Sequence, residues 1–195
     1  MARRVYFAFH YEDVATFRAN TVRNSWITKR KSSDIVFFDA SLWEEVKKDS
    51  PIAIKRLINS GLNNTSVTAI LAGSLTYSRP WVRYEILESF KKNNGLLTIH
   101  INSITDKYQK TYKQGPNPLE YFYFRINDEK IHLWEYENSE WKYIDWLWKS
   151  DVKHDLGYQT EGKFSSIFPQ YDWTTNDGYN QFTNWVETAA INAGR

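Results

Sequence analysis

Four short apolar runs recur along the chain at near-constant spacing: RVYFAFH at 4–10, IVFFDA at 35–40, SVTAILAG at 66–73 and LLTIHIN at 96–102. Each is rich in β-branched or aromatic residues and lacks polar alternation, the pattern of a strand buried on both faces. Helical periodicity fills the gaps. Ala15, Ala19, Val22 and Trp26 fall on one stripe. Ser41 and Glu44 have capping-box spacing. The pattern breaks at Pro51 and restarts, with Ser50 as cap, Ile54, Leu57 and Ile58 inward and Gly61 as the stop. A third helix opens in SRPWVRYEILESF, 78–90, with Pro80 in its first turn and Lys91 and Lys92 at its far end. Strand–helix alternation at roughly thirty residues per unit predicts an α/β fold with a flavodoxin-like, doubly wound parallel sheet. The four runs are expected in the order 2-1-3-4.

After residue 103 the pattern changes. SITDKYQKTYKQGPNP is loop chemistry, and 120–126, 130–137 and 140–144 read as short strands of a β-meander joined by polar turns. Residues 176–191 read as a closing helix with Tyr179, Phe182, Trp185 and Val186 on its docking stripe. No linker or internal repeat divides the chain. The expectation is one domain over 1–195, with a βα core over about 1–103 and a C-terminal extension over about 104–195 packed on it.

Composition narrows the function. The chain has 195 residues and a net charge of +2, so bulk charge suggests no nucleic-acid partner. It has no cysteine, which excludes a disulfide scaffold, a thiolate metal site and a cysteine nucleophile. The four histidines, at 10, 100, 132 and 154, form no spaced metal motif. The apolar run behind the N-terminal arginines is too short for a signal peptide or a membrane span, so a cytoplasmic protein with no membrane partner is expected. Aromatic residues are abundant, with 9 Trp, 13 Tyr and 11 Phe, and they gather in the second half. There they serve either cross-strand packing or a binding face.

An open parallel sheet binds ligands outside the carboxyl ends of its strands, where strand order reverses. For the expected order this brings His10, Tyr11 and Asp13 near Ser74, Trp81 and Glu85, with Asp39 and Trp43 bordering the same crevice. Glu85 stands out. Glu88 has Lys91 and Lys92 within helical reach, whereas Glu85 has no cation along the helix. It lies about 60° from Val82 and about 40° from Trp81 around the helix, at the edge of the buried face. A half-buried carboxylate beside an indole is expected, read either as a boundary residue or as a functional acid. Other chemistries fit less well. Gly73-Ser74 replaces the aspartate a phosphoacceptor domain needs at that strand end. HYEDVATF is no flavin-phosphate loop, and GxGxxG and P-loop patterns are lacking. A triad of Ser74, His10 and Asp39 would lack the GxSxG elbow.

These residues carry a resemblance. VYFAFHYED resembles the first box of TIR domains, and SLTYSRPWVRYE resembles their third-strand segment, an S…S-x-W-x-x-x-E pattern. The wider string, from FHYED through FDASLWE, IKRLINSGLNNTSVTAIL, WVRYEI, IHIN and GPNP to DGYN, is similar to the TIR-like proteins of bacterial Thoeris antiphage defence over essentially the whole chain. The resemblance implies an enzyme that cleaves NAD at the nicotinamide–ribose bond and forms a cyclic ADP-ribose isomer, which activates a separate effector protein. NAD is then substrate, and no cofactor or metal is expected. The final Glu of the pattern, the catalytic residue in NAD-cleaving members, is Glu85, and the Trp is Trp81. Phe9, His10 and Tyr11 are placed to stack on a base or meet the diphosphate. Asp13, Asp39, Trp43 and Ser74 join the substrate-binding set by position. The competing reading is a non-catalytic interaction module, since many TIR domains signal by self-association. FDASLWEEVKKDSP lacks the Pro-Gly of the usual docking loop, which puts conventional assembly through it in question, although a homo-oligomer stays open.

Overall fold

The structure is a computed structural model and describes residues 3–28 and 50–195. The run at 35–40, the Ser41–Glu44 box, Asp39 and Trp43 lie outside those residues.

The first apolar run forms β1 (Val5–Phe9) and leads directly into α1 (Tyr11–Ala15). The stripe from Ala15 to Trp26 is not one helix. Phe17 adopts a left-handed φ of 67° and separates α1 from α2 (Arg18–Thr28). Ser50 caps α3 (Pro51–Asn63) by accepting from Ala53 N at 3.4 Å. Gly61 does not stop this helix. It is buried within the last turn, and Asn64 closes it. β2 (Val67–Ala72), α4 (Pro80–Lys91) and β3 (Gly95–His100) follow where the apolar pattern puts them.

β1, β2 and β3 are parallel neighbours in that order, in register from Val5 against Val67 and from Val67 against Gly95. This is the 1-3-4 part of the expected order. A fourth parallel strand comes from the far end of the chain. β8 (Gln170–Asp172) pairs with β3 through Thr98–His100. Three residues are too few to carry a periodic signal, so sequence reading missed it.

The sheet is buried on both faces, as continuous apolar strands require. On one face, Val5, Phe7, Val67, Leu71 and Ile99 pack against α2 and against α5 (Gly178–Asn192). Phe182, Trp185 and Val186 are the buried stripe of α5, whereas Tyr179 in its first turn is exposed. On the other face, Tyr6, Ala8 and Ile70 meet Ile54, Ile58, Val82, Ile86 and Phe90 of α3 and α4.

The meander forms as expected. β4 (Phe122–Asn127), β5 (Lys130–Glu137), β6 (Glu140–Trp148) and β7 (Glu161–Lys163) make an antiparallel sheet in the order β6-β5-β4-β7. Its inner face, with Phe122, Phe124, Ile131 and Leu133, joins the cluster behind α4. Its outer face carries aromatic rings. Tyr123 stands edge-on to Trp134 at 5.9 Å, and Trp134 to Tyr143 at 5.6 Å. Cross-strand packing of this kind stabilises a sheet, and it accounts for much of the aromatic excess. Among the described residues, no helix is long and apolar enough to cross a membrane.

Candidate functional site

At the carboxyl ends of β1 and β2, two loops interlock. His10 caps α1 by accepting from Glu12 N through Nδ1 at 3.2 Å. The turn that follows buries Asp13, and Arg18 Nη2 donates to Asp13 Oδ1 at 2.7 Å. Thr76 Oγ1 lies 3.4 Å from Asp13 Oδ2 and accepts from Gly73 N at 2.8 Å. Gly73 has no side chain for a physical reason: a β-carbon there would stand 2.4 Å from both carboxylate oxygens. Burial pushes the Asp13 carboxyl up, against the opposing pull of Arg18 and Thr76. Ser74 Oγ donates to Lys113 O at 2.6 Å, and Gly115 packs against the Ser74 backbone. The fold therefore brings His10, Tyr11, Asp13 and Ser74 to one edge of the sheet, where the topology rule predicts a crevice.

Glu85 is elsewhere and deeper. It is 2% exposed, inside the cluster between α4 and the sheet, where a half-buried position was expected. The helical angle from Val82 alone does not reveal this depth. Tyr6, on the same sheet face, covers the position from below. Its hydroxyl donates to Glu85 Oε1 at 2.7 Å. Glu85 Oε2 is buried without a hydrogen-bond partner. Desolvation pushes the Glu85 carboxyl up to about 8, although the Tyr6 hydrogen bond pulls the other way. The backbone beneath is pinned. Ser89 Oγ donates to Glu85 O at 2.6 Å and lies 2.7 Å from Thr68 Oγ1 of β2.

The remaining candidates divide. Trp81 is half-buried one turn before Glu85, edge-on to Tyr84 at 6.2 Å. It borders a groove of about 330 Å³ with Lys55, Ser78, Arg83, Tyr84 and Glu135, and Glu85 is not part of that lining. Phe9 packs with the α2 and α5 cluster, and the Arg23 guanidinium lies 5.5 Å over its ring. Its ring therefore sits on the sheet face opposite Glu85. Tyr11 is exposed. Sequence reasoning missed Tyr6, Arg18 and Thr76. Tyr6 was hidden inside an apolar run, but strand alternation with Ala8 would have put its hydroxyl on the α4 side.

Chemically, the site offers an acid in a water-poor, apolar setting, with one oxygen tied down and the other free of hydrogen bonds. Such a group responds strongly to a cation brought beside it. Among the described residues, no cluster of three or more His, Asp or Glu could hold a metal ion.

Comparison with known proteins agrees with this architecture. Residues 6–106 match the model of the family described as Thoeris protein ThsB, TIR-like domain. A protein of Bacillus cereus (strain MSX-D12), named "Putative cyclic ADP-D-ribose synthase ThsB1", is 48% identical over 191 residues, covering 95% of this chain and 100% of the relative.

Proposed function

The chain belongs to the Thoeris ThsB TIR-like family, and from that premise we propose that it cleaves NAD at the nicotinamide–ribose bond and closes the product into a cyclic ADP-ribose isomer, with Glu85 as the catalytic carboxylate. The observation that carries this reading is the state of Glu85: an acid 2% exposed, with Oε2 lacking any partner. Buried polar atoms are nearly always satisfied, and an exception of this kind is expected where a substrate supplies the missing partner.

The chemistry follows from charge. Breaking the bond builds positive charge on the ribose, as in glycoside hydrolysis. Nicotinamide leaves as a neutral molecule, so no general acid is needed. With its carboxyl near 8, Glu85 is mostly neutral at pH 7 in the free protein. The nicotinamide cation beside it favours ionisation, so binding the substrate generates the carboxylate where charge will develop. In that apolar setting the carboxylate stabilises the oxocarbenium-like ribose and orients its hydroxyls. An adenosine atom of the same molecule then takes the ribose and gives the cyclic product, whereas water gives ADP-ribose. His10, Tyr11, Ser74 and Trp81 are the proposed contacts for the rest of the substrate. Asp13 acts there by shaping the loop with Arg18. The product, in this reading, is a diffusible signal in antiphage defence that switches on a separate effector.

The test is mass spectrometry of small molecules from phage-challenged cells that express this chain and lack any effector. Wild type should accumulate an ion with the mass of cyclic ADP-ribose, and Glu85→Gln should not. The ion in both strains would remove Glu85 from catalysis, and its absence from both would favour a non-catalytic module.

A further inference from the structure

The Glu85 carboxyl is held asymmetrically. Its Oε1 accepts from Tyr6 at 2.7 Å, both residues are almost fully buried, and Oε2 has no partner. Its main chain is anchored separately, through Ser89 to Thr68 of β2. The acid is thus tied to two strands at once, β1 through its side chain and β2 through its backbone. A free glutamate side chain has rotamer freedom that would blur its placement. Here the Tyr6 ring, locked in the core beside Ile58 and Ile86, removes that freedom.

We infer that Tyr6 is the positioning residue for the catalytic carboxyl: its hydroxyl clamps Oε1 and leaves Oε2 as the oxygen that meets the ribose. This rests on the proposed NAD-cleaving reading and deepens it. Tyr6 does not touch the reacting atoms. It acts by orienting Glu85 and by holding a donor against the carboxylate form. A donor to an ionised carboxylate stabilises it, so Tyr6 opposes the upward push of burial. The neighbouring charges do not share this task. Lys55 of α3 lies 5.2 Å over the Tyr84 ring, Arg83 pairs with Glu135, and Glu88 pairs with Lys91 at 3.3 Å. Among the described residues, Tyr6 is the one side chain that donates to Glu85. The hydroxyl is itself held in its protonated form, first by burial and then by the adjoining Glu85. It therefore stays a donor throughout the working pH range.

The experiment is the pH profile of NAD turnover in lysates of phage-challenged cells, for wild type, Tyr6→Phe and Glu85→Gln. Tyr6→Phe should fold, because it removes one oxygen from a packed ring. Its kcat near pH 7 should fall by about tenfold or more, the usual worth of a hydrogen bond to a charged group. KM for NAD should change little. The acid limb of the profile should move to higher pH, with activity recovering toward wild type in alkali. Incorporating 3,5-difluorotyrosine at position 6 strengthens the donor at near-constant volume, and should move the limb to lower pH. That second variant keeps the test open if Tyr6→Phe unfolds. A purely structural Tyr6 would lower stability and leave the limb in place, which would overturn the inference. Turnover retained in Glu85→Gln would instead bring down the reading of Glu85 itself. A silent Glu85→Gln beside unmoved limbs in both Tyr6 variants would bring down the clamp alone.

Discussion

Arg18 Nη2 donates to Asp13 Oδ1 at 2.7 Å, five residues away, and both side chains are buried. The guanidinium carbon also lies over the Tyr112 ring, 4.0 Å from its centroid. Its Nε and Nη1 are buried without hydrogen bonds, and Asp13 is the carboxylate it touches, with the Asp106 charge acting from further off. Removing that charge strands a buried cation. Asp13→Ala should therefore destabilise the protein by about 3–5 kcal/mol, read from urea denaturation. A loss of NAD affinity with unchanged unfolding would instead assign Asp13 to the substrate.

Gly115 makes a comparable claim on backbone. A β-carbon there would meet Ser74 O at 2.5 Å and Gly73 O at 2.6 Å. Main-chain atoms in a loop already tied to Asp13 cannot easily give way. Gly115→Ala should cost about 1–3 kcal/mol, measured as a lowered melting temperature.

Glu85 predicts an unusual pH dependence of stability. Its carboxyl shifts from an ordinary 4.5 to about 8 on folding. Between these values the folded protein holds a proton that the unfolded chain releases, so the contribution of Glu85 to stability falls as pH rises through this window. Glu85→Gln removes the effect. The variant should melt several degrees above wild type at pH 8, and the gap should close as pH approaches 5. Glu88→Gln leaves Lys91 its closer pairing with Asp145 at 2.6 Å, and should follow wild type in both melting and turnover. A Glu85→Gln curve parallel to wild type at every pH would mean the carboxyl is not desolvated.

The two faces of the meander should separate cleanly. Phe124 is fully buried, and Phe124→Ala should cost about 3–5 kcal/mol. Tyr143 is 52% exposed on the outer face. Tyr143→Ala removes exposed contacts with Trp134 at 5.6 Å and His132 at 5.9 Å and should cost about 1 kcal/mol or less. Chemical denaturation of the two variants side by side checks this.

Much of the architecture was legible in the sequence. Runs buried on both faces need no tertiary information, and β1, β2, β3 and α4 fall where the apolar pattern puts them. The meander was legible for the same reason, because alternation and turn residues are local. What escaped was set by single backbone conformations or by distant partners. Phe17 breaks the first helix through its φ of 67°, which no stripe records. Gly61 is a helix-interior residue here because Asn64 does the capping. Glu85 was singled out by its lack of a helical cation, yet its depth depends on Tyr6, 79 positions away. Phe9 was grouped with Glu85 by loop position, but strand alternation sends its ring to the opposite face.

The parallel sheet takes its last strand and one of its covering helices from residues 170–192, far beyond β3. As the chain leaves the ribosome, β1, β2 and β3 are complete long before Phe182, Trp185 and Val186 arrive to cover them. During that interval a broad apolar surface and the open edge of β3 face the cell, the condition under which nascent chains aggregate or recruit chaperones. Closure must wait for contacts of long sequence separation, which form slowly. The same timing withholds the finished sheet until residues 170–192 have been made, so a ribosome stalled before residue 170 would yield a chain with its site residues but without the scaffold that holds them.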